Sequence, residues 1–330
     1  MIEKYNFTKK LSTDYPLSSK HLFKKHAGNA KYYYQLQFDE TLDNDLRELS
    51  RFSKENNIPF RIFGMHTNIY ITDNGYDGIF VDLTPINSKI EFNSENETFI
   101  VSGNLLVSKL VNKAMEMGYD FSAFAGVPGM IGAGIAGNAG WTASKKSFND
   151  FVKEITVYDF TEQKYIKVCP DNNFFSIRNS YIKEQNKVTT RYFVKEAVLK
   201  AEYIGTEKVK EKYDAQMNKR YNSLRSAYKD GCAGSIWVNA YLERITGRSF
   251  PMMLREHNCI KQNFNGARYG NDEDMFFTTG KETTDKDVAK LFIHTIHKLK
   301  ELYNVTPILE VLILDYDGEI DLDTFIERNN

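Results

Sequence analysis

The densest chemical signal in this chain is Ala125-Gly126-Val127-Pro128-Gly129-Met130-Ile131-Gly132-Ala133-Gly134-Ile135-Ala136-Gly137-Asn138-Ala139-Gly140, in which six of sixteen residues are glycine and only Asn138 has a polar side chain. A solvent-exposed linker would hold Ser, Lys or Glu here. Small apolar residues predict instead a buried backbone that something approaches closely, since glycine lacks a Cβ and accepts positive φ. The amides of such a loop can form a concave anion site for a pyrophosphate. A tight turn between core strands is the alternative. No Gly-Lys-Ser/Thr follows, which excludes a Walker A loop. The spacing of Gly129, Gly132 and Gly134 is not the dinucleotide fingerprint, and Phe121-Ser122-Ala123-Phe124 is a poor central strand to precede one.

Four further segments could do chemistry. In Arg61-Ile62-Phe63-Gly64-Met65-His66-Thr67-Asn68 an apolar strand leads into a small polar turn. Thr67 and Asn68 there could bond a phosphate or ribose, or simply close a β-turn. In Phe175-Ser176-Ile177-Arg178-Asn179-Ser180-Tyr181-Ile182-Lys183 the arginine is either a paired structural charge or a carboxylate clamp. In Gly231-Cys232-Ala233-Gly234-Ser235-Ile236-Trp237-Val238-Asn239 the serine lacks the Gly-x-Ser-x-Gly frame of a nucleophile elbow. A core strand with a buried hydroxyl is the default for it. Glu310 lies in the apolar run 307–314, which predicts a carboxylate within a buried strand. Unpaired, that costs on the order of several kcal/mol, so either a function or a partner such as Arg178 is expected.

The elements that must hold these residues follow from periodicity. Leu42, Leu46 and Leu49 predict a helix over 40–56, with strands over 60–63, 69–72, 79–83 and 99–102. An amphipathic helix over 105–117 ends at Gly118. A hairpin over 154–158 and 165–168, a strand over 192–201 and a charged helix over 207–225 come next. Thr284 caps a helix with Asp287 at its third position, and Val288, Leu291, Phe292 and Leu299 line one face. Short strands interleaved with helices predict an α+β fold. At 330 residues the chain accommodates two or three domains, and 42% hydrophobic content describes a folded protein. A net charge near −1 gives no electrostatic case for nucleic acid or a membrane surface. The first residues hold no apolar run of the signal-peptide kind. Cys169, Cys232 and Cys259 are widely spaced and odd in number, which fits a reducing cytosol and no metal cage.

In this order the five segments resemble those of the UDP-N-acetylenolpyruvoylglucosamine reductase (MurB) family, FAD enzymes of peptidoglycan precursor synthesis and cell-wall biogenesis. Residues 126–140 match the family's G-[IV]-P-G-x-x-G-G-x-x-x-x-N-A-G, with Ala133 for one glycine. Residues 63–68 and 73–78 are similar to L-G-x-G-[ST]-N and D-x-G-[FY]-x-G, and 177–183 to Y-R-x-S-x-F-K. Residues 234–240 are similar to G-S-x-F-K-N-P, and 309–312 to P-E-V-R. His66 replaces a glycine, Ile177 a tyrosine, Val238 a lysine, Ala240 a proline and Leu312 an arginine. Glu273-Asp274-Met275-Phe276 stands where the family has H-A-N-F.

The resemblance implies an FAD-binding domain of the vanillyl-alcohol-oxidase type over 1–205, in two subdomains split near 85. A smaller α+β substrate-binding domain would cover 206–330, its strand 307–314 carrying a catalytic carboxylate. It implies NADPH-driven reduction of UDP-N-acetylglucosamine enolpyruvate to UDP-N-acetylmuramate by a cytoplasmic, metal-free monomer. Arg178 would bind the substrate carboxylate, Ser235 would protonate carbon and Glu310 would assist. Gly64, Met65, His66, Thr67, Asn68, Gly126, Pro128, Gly129, Gly132, Gly134, Asn138, Ala139 and Gly140 would hold the cofactor, and Ser180 and Asn239 the substrate. Three alternatives stay open: a MurB-like reductase of another substrate, an oxidase with flavin joined to His66, since Gly64-Met65-His66-Thr67 resembles a G-G-H-S turn, and a flavin-binding paralogue without turnover.

Overall fold

The computed structural model describes residues 5, 7–20, 27–141, 144–223, 233–270, 277, 278, 280 and 282–330. The chain forms two compact units, neither of them one stretch of sequence. The first comprises 1–13, 31–65 and 78–220, and the second 14–30, 66–77 and 221–330.

In the first unit, strand Phe60–Phe63 runs parallel to the part of strand Tyr76–Leu83 from Ile79 to Asp82, with Phe60 opposite Ile79 and Phe63 opposite Asp82. Helix Leu42–Asn56 buries Leu42, Leu46, Leu49 and Phe52 against this layer and ends at Asn57, which takes the left-handed conformation. Asparagine tolerates that conformation better than most residues. Asp45 is buried in the helix and accepts hydrogen bonds from the hydroxyls of Tyr34 and Thr41, which offsets its desolvation.

A five-stranded antiparallel sheet forms the other layer of this unit, in the order Lys164–Val168, Val152–Asp159, Tyr192–Leu199, Thr98–Ser102, Ile90–Asn93. Helices Val107–Glu116 and Ile131–Ala136 share its core with Phe99, Val101, Ile155, Val157, Val194 and Leu199. The second of these helices lies inside the glycine-rich stretch, where sequence periodicity gave no helix. Gly132 and Gly134 lower helix propensity by about 1 kcal/mol each relative to alanine, and burial of Ile131 and Ile135 outweighs that. Residues Ser122–Phe124 form a single 3-10 turn.

In the second unit, Thr284 and Asp287 make a reciprocal capping box on helix Asp285–Tyr303. Val288, Leu291, Phe292 and Leu299 face a core shared with Tyr70, Ile236, Trp237, Phe250 and Phe325. A three-stranded sheet has the order Gly318–Ile320, Leu312–Asp315, Ile69–Ile71. Its last two strands are parallel, with Leu312 opposite Ile69 and Leu314 opposite Ile71. The run 307–314 is therefore a strand only from Leu312 onward. Before it, Leu309 and Trp237 form an isolated antiparallel bridge. No helix among the described residues is long and apolar enough to cross a membrane.

Candidate active site

In the first unit, the end of strand Phe60–Phe63 meets the start of the glycine helix. A Cβ built on Gly64 would lie 3.4 Å from the Ala133 Cβ and 3.6 Å from the Met130 Sδ, ordinary contact distances. Gly126 at φ 68° and Gly129 at φ 118° give the bends that lead into the helix, and L side chains rarely adopt either conformation. The amides at the helix start are already used. Ile131 N–H donates to the Leu105 carbonyl at 2.9 Å, and Gly132 N–H to the Gly103 carbonyl at 2.8 Å. This corrects the expectation of an open amide cradle at these two positions.

Other glycines serve internal packing as well. A Cβ at Gly134 would fall 2.4 Å from the Phe148 ring, and one at Gly140 would fall 2.2 Å from the Lys146 carbonyl oxygen. What stays open is a wall of small residues. Pro128 and Ala133 are exposed, Gly129, Gly137 and Ala139 are half-buried, and Met65 is 42% exposed beyond Gly64. Such a surface of mostly small residues suits close approach by a dinucleotide cofactor such as FAD.

Arg178 is the second central residue of a two-residue hairpin in which Phe175 pairs with Ser180 and Ser176 with Asn179. It sits at φ 57°, a left-handed conformation that costs a non-glycine residue on the order of 1–3 kcal/mol. Surrounding bonds must therefore hold it. Asn138 is buried, donates from Nδ2 to the Ser176 carbonyl at 2.8 Å and accepts from the Asn149 N–H at 3.1 Å. Ser180 is also buried. Its hydroxyl donates to the Ala136 carbonyl at 2.6 Å and accepts from Lys183 N–H, capping the short helix Tyr181–Gln185. Lys183 Nζ donates to the Arg178 carbonyl at 3.4 Å. The Ser180 hydroxyl, read from sequence as a substrate contact, is thus engaged inside the protein.

In the second unit three segments converge. His66 takes φ 53° at a position where the resembling family has glycine. Two residues on, Asn68 Nδ2 donates to the Glu310 carbonyl at 3.2 Å, and the Asn68 carbonyl accepts from Leu312 N–H. Glu310 N–H donates to the Ile236 carbonyl at 2.7 Å, and Val238 N–H to the Ile308 carbonyl at 2.8 Å. Ser235 therefore lies next to the residue that bonds Glu310. Gly234, at φ 81°, would bring a Cβ to 3.4 Å from the Thr67 carbonyl oxygen. The turn 66–68 and the backbones around Ser235 and Glu310 are neighbours although the sequence separates them widely.

Ser235 and Glu310 are both half-buried, so the expectation of a fully buried carboxylate in mid-strand is corrected: Glu310 precedes the strand and keeps contact with water. Asn239 accepts from Phe250 N–H at 2.7 Å, bonding the first residue of helix Phe250–Glu256. Val238, at the lysine position of the resembling family, is buried.

Arg178 belongs to the first unit, and Ser235 and Glu310 to the second. Sequence reasoning missed the part played by Gly103 and Leu105, whose carbonyls satisfy the glycine helix. The small pair Gly103-Asn104, directly after the strand that ends at Ser102, was the available signal. Residues Cys232 and Glu273–Phe276, and the end of the helix expected over 207–225, lie outside the described residues.

A family model described as an FAD binding domain matches residues 41–166. Curated proteins named UDP-N-acetylenolpyruvoylglucosamine reductase align along the chain. One from Caldicellulosiruptor saccharolyticus is 26% identical over 316 residues, covering 94% of this chain and 93% of its own length. One from Bacillus pumilus is 28% identical over 262 residues, covering 79% and 81%. The crystal structure of the reductase from Thermus caldophilus superposes with a TM-score of 0.68 at 18% identity, over 90% of this chain and 97% of that one, which establishes the shared fold.

Proposed function

This chain carries an FAD-binding domain and is a relative of the UDP-N-acetylenolpyruvoylglucosamine reductases, and we propose that it catalyses the reaction for which they are named. The substrate is UDP-N-acetylglucosamine enolpyruvate, the product UDP-N-acetylmuramate and the hydride donor NADPH. The enzyme works in the cytoplasm as a monomer, in peptidoglycan precursor synthesis. Residues 1–205 serve FAD, and 206–330 serve the nucleotide sugar.

When bound, FAD would supply the hydride chemistry for this reduction, with NADPH as the source of reducing equivalents. The chain's own residues manage the charge that results. Arg178 binds the carboxylate and stabilises the negative charge that develops beside it, a preorganised electrostatic role. Ser235 donates a proton to the carbon next to the carboxylate, which requires close geometry because a hydroxyl is a weak acid. Glu310 stabilises the protonated enol form or relays the proton. Gly64, Met65, Pro128, Gly129 and Ala139, and separately His66, Thr67 and Asn68, would contact the cofactor.

The observation that supports this reading is the hydrogen bond from Glu310 N–H to the Ile236 carbonyl at 2.7 Å, which brings the backbone of Glu310 to the residue after Ser235, while Asn68 of the 66–68 turn bonds the Glu310 carbonyl. Ser235→Ala should leave flavin reduction by NADPH intact and slow reoxidation by the enolpyruvyl substrate at least about 100-fold, the loss expected for a positioned acid. Equal loss in both half-reactions would overturn the assignment. A reductase of a related substrate is favoured by one feature. Val238 and Leu312 offer no cation to a phosphate, and Leu312 is built into the pairing with Ile69. Reoxidation by the named substrate no faster than by oxygen would select that second reading.

A further inference from the structure

We propose that Asn138 and Ser180 are positioning residues for Arg178, acting through the hairpin that carries it. The inference rests on the assignment of Arg178 to the substrate carboxylate.

A hairpin with two residues per strand is not stable alone, and its second central residue is a non-glycine at φ 57°. Both of its strands are tied to the C-terminal end of the glycine helix. Asn138 Nδ2 holds the Ser176 carbonyl on one strand, at 2.8 Å. Ser180 Oγ on the other strand holds the Ala136 carbonyl, at 2.6 Å. The two bonds bracket the Ile177-Arg178 turn from either side. The Asn138 amide cannot rotate freely, because its Oδ1 receives the Asn149 N–H at 3.1 Å while its Nδ2 faces a carbonyl. Asn138 also takes φ 42°, in the turn just after the helix Ile131–Ala136. Both side chains are buried, Asn138 at 5% and Ser180 at 2% exposure, which leaves them acting on the protein and not on a ligand. The segment that walls the cofactor therefore also sets where the arginine stands.

Two chemical consequences follow. Asn138→Asp places a carboxylate oxygen against the Ser176 carbonyl and cannot replace the amide. Ser180→Thr keeps the hydroxyl and should keep the clamp. Because both residues act through Arg178, their effects should vanish when Arg178 is removed, which is the signature of coupled sites in a double-mutant cycle.

The test is stopped-flow kinetics of FAD-loaded Asn138→Ala, Asn138→Asp, Ser180→Ala, Ser180→Thr and Arg178→Ala, together with the Asn138→Ala/Arg178→Ala double variant. Asn138→Ala, Asn138→Asp and Ser180→Ala should slow reoxidation by the enolpyruvyl substrate about 10- to 100-fold. Flavin reduction by NADPH and FAD content should not change, and Ser180→Thr should be within about threefold of wild type. In the Arg178→Ala background, Asn138→Ala should add less than about twofold. Hydrogen exchange should quicken over 174–185 in Asn138→Ala, a readout independent of turnover. Additive losses in the double variant, equal losses in both half-reactions, or unchanged exchange over 174–185 would each overturn the positioning role. A wild type that the substrate does not reoxidise would instead remove the reductase reading, and this inference with it.

Discussion

Gly134→Ala sets two opposing effects against each other. Alanine in a helix interior gains about 1 kcal/mol over glycine. The new Cβ, however, would lie 2.4 Å from Phe148 Cε2 and 2.9 Å from its Cζ, closer than real Cβ contacts permit. Phe148 cannot swing aside. It is fully buried and stacked on Phe124 with ring centroids 4.5 Å apart. Overpacking of a filled core costs about 1–3 kcal/mol, and the upper end applies to so short a distance. The net expectation is a loss of about 1–2 kcal/mol, or about 2–8 °C in the melting midpoint of a unit of this size. The assay is thermal unfolding followed by tryptophan fluorescence and by flavin release. Gly137→Ala is the control: its Cβ would meet the Ala133 carbonyl oxygen at 3.4 Å, so it should change stability by no more than about 0.5 kcal/mol. Phe148→Leu should recover part of the loss when combined with Gly134→Ala. If Gly134→Ala is as stable as the wild type, the argument that this glycine exists for packing is wrong.

Asp315 is held below the usual carboxylate range: burial works against its charge, but bonds from Thr72, the Tyr316 amide, Asn74 and Arg328 prevail. A depressed folded pKa contributes stability that is present above the unfolded value near about 4 and is lost as pH falls through the folded one. Acid titration of the second unit should show this loss, and Asp315→Asn should flatten the curve. Thr284→Ala removes the acceptor of the capping box on Asp285–Tyr303 and should cost about 1 kcal/mol, with Thr284→Ser near wild type in urea denaturation. Acid precipitation of the purified protein should leave its flavin in the supernatant. A yellow pellet that turns colourless in His66→Ala would establish a covalent link and favour the oxidase reading.

Much of the helical framework was legible because its signals are local. The capping box at Thr284 and Asp287 and the leucine spacing at 42, 46 and 49 each lie within one or two turns. The hairpin Val152–Asp159 and Lys164–Val168 was equally plain from its two β-rich runs. Helix Ile131–Ala136 was not, because glycine permits both helix and turn and the choice falls to burial of Ile131 and Ile135. The run 307–314 misled for a different reason. An apolar stretch says that a segment is covered, whereas its pairing depends on partners far away, here Trp237 for Leu309 and Ile69 for Leu312. At the site, residue types gave Arg178, Ser235 and Glu310 as candidates. The engaged states of Ser180, Asn138 and the Ile131 and Gly132 amides required the bonds themselves.

The parallel pairing of Leu312–Asp315 with Ile69–Ile71 has a consequence for synthesis. Thr72 and Asp315 bond across 243 residues of sequence. During translation the segment 66–77 leaves the ribosome long before the strand Leu312–Asp315 that pairs with it. Non-local pairing of this kind folds slowly. The waiting edge around Tyr70, buried in the finished unit, is exposed in the meantime and open to misassociation. Chains released before residue 312 would lack the strand that covers it, and quality control should fall on those products.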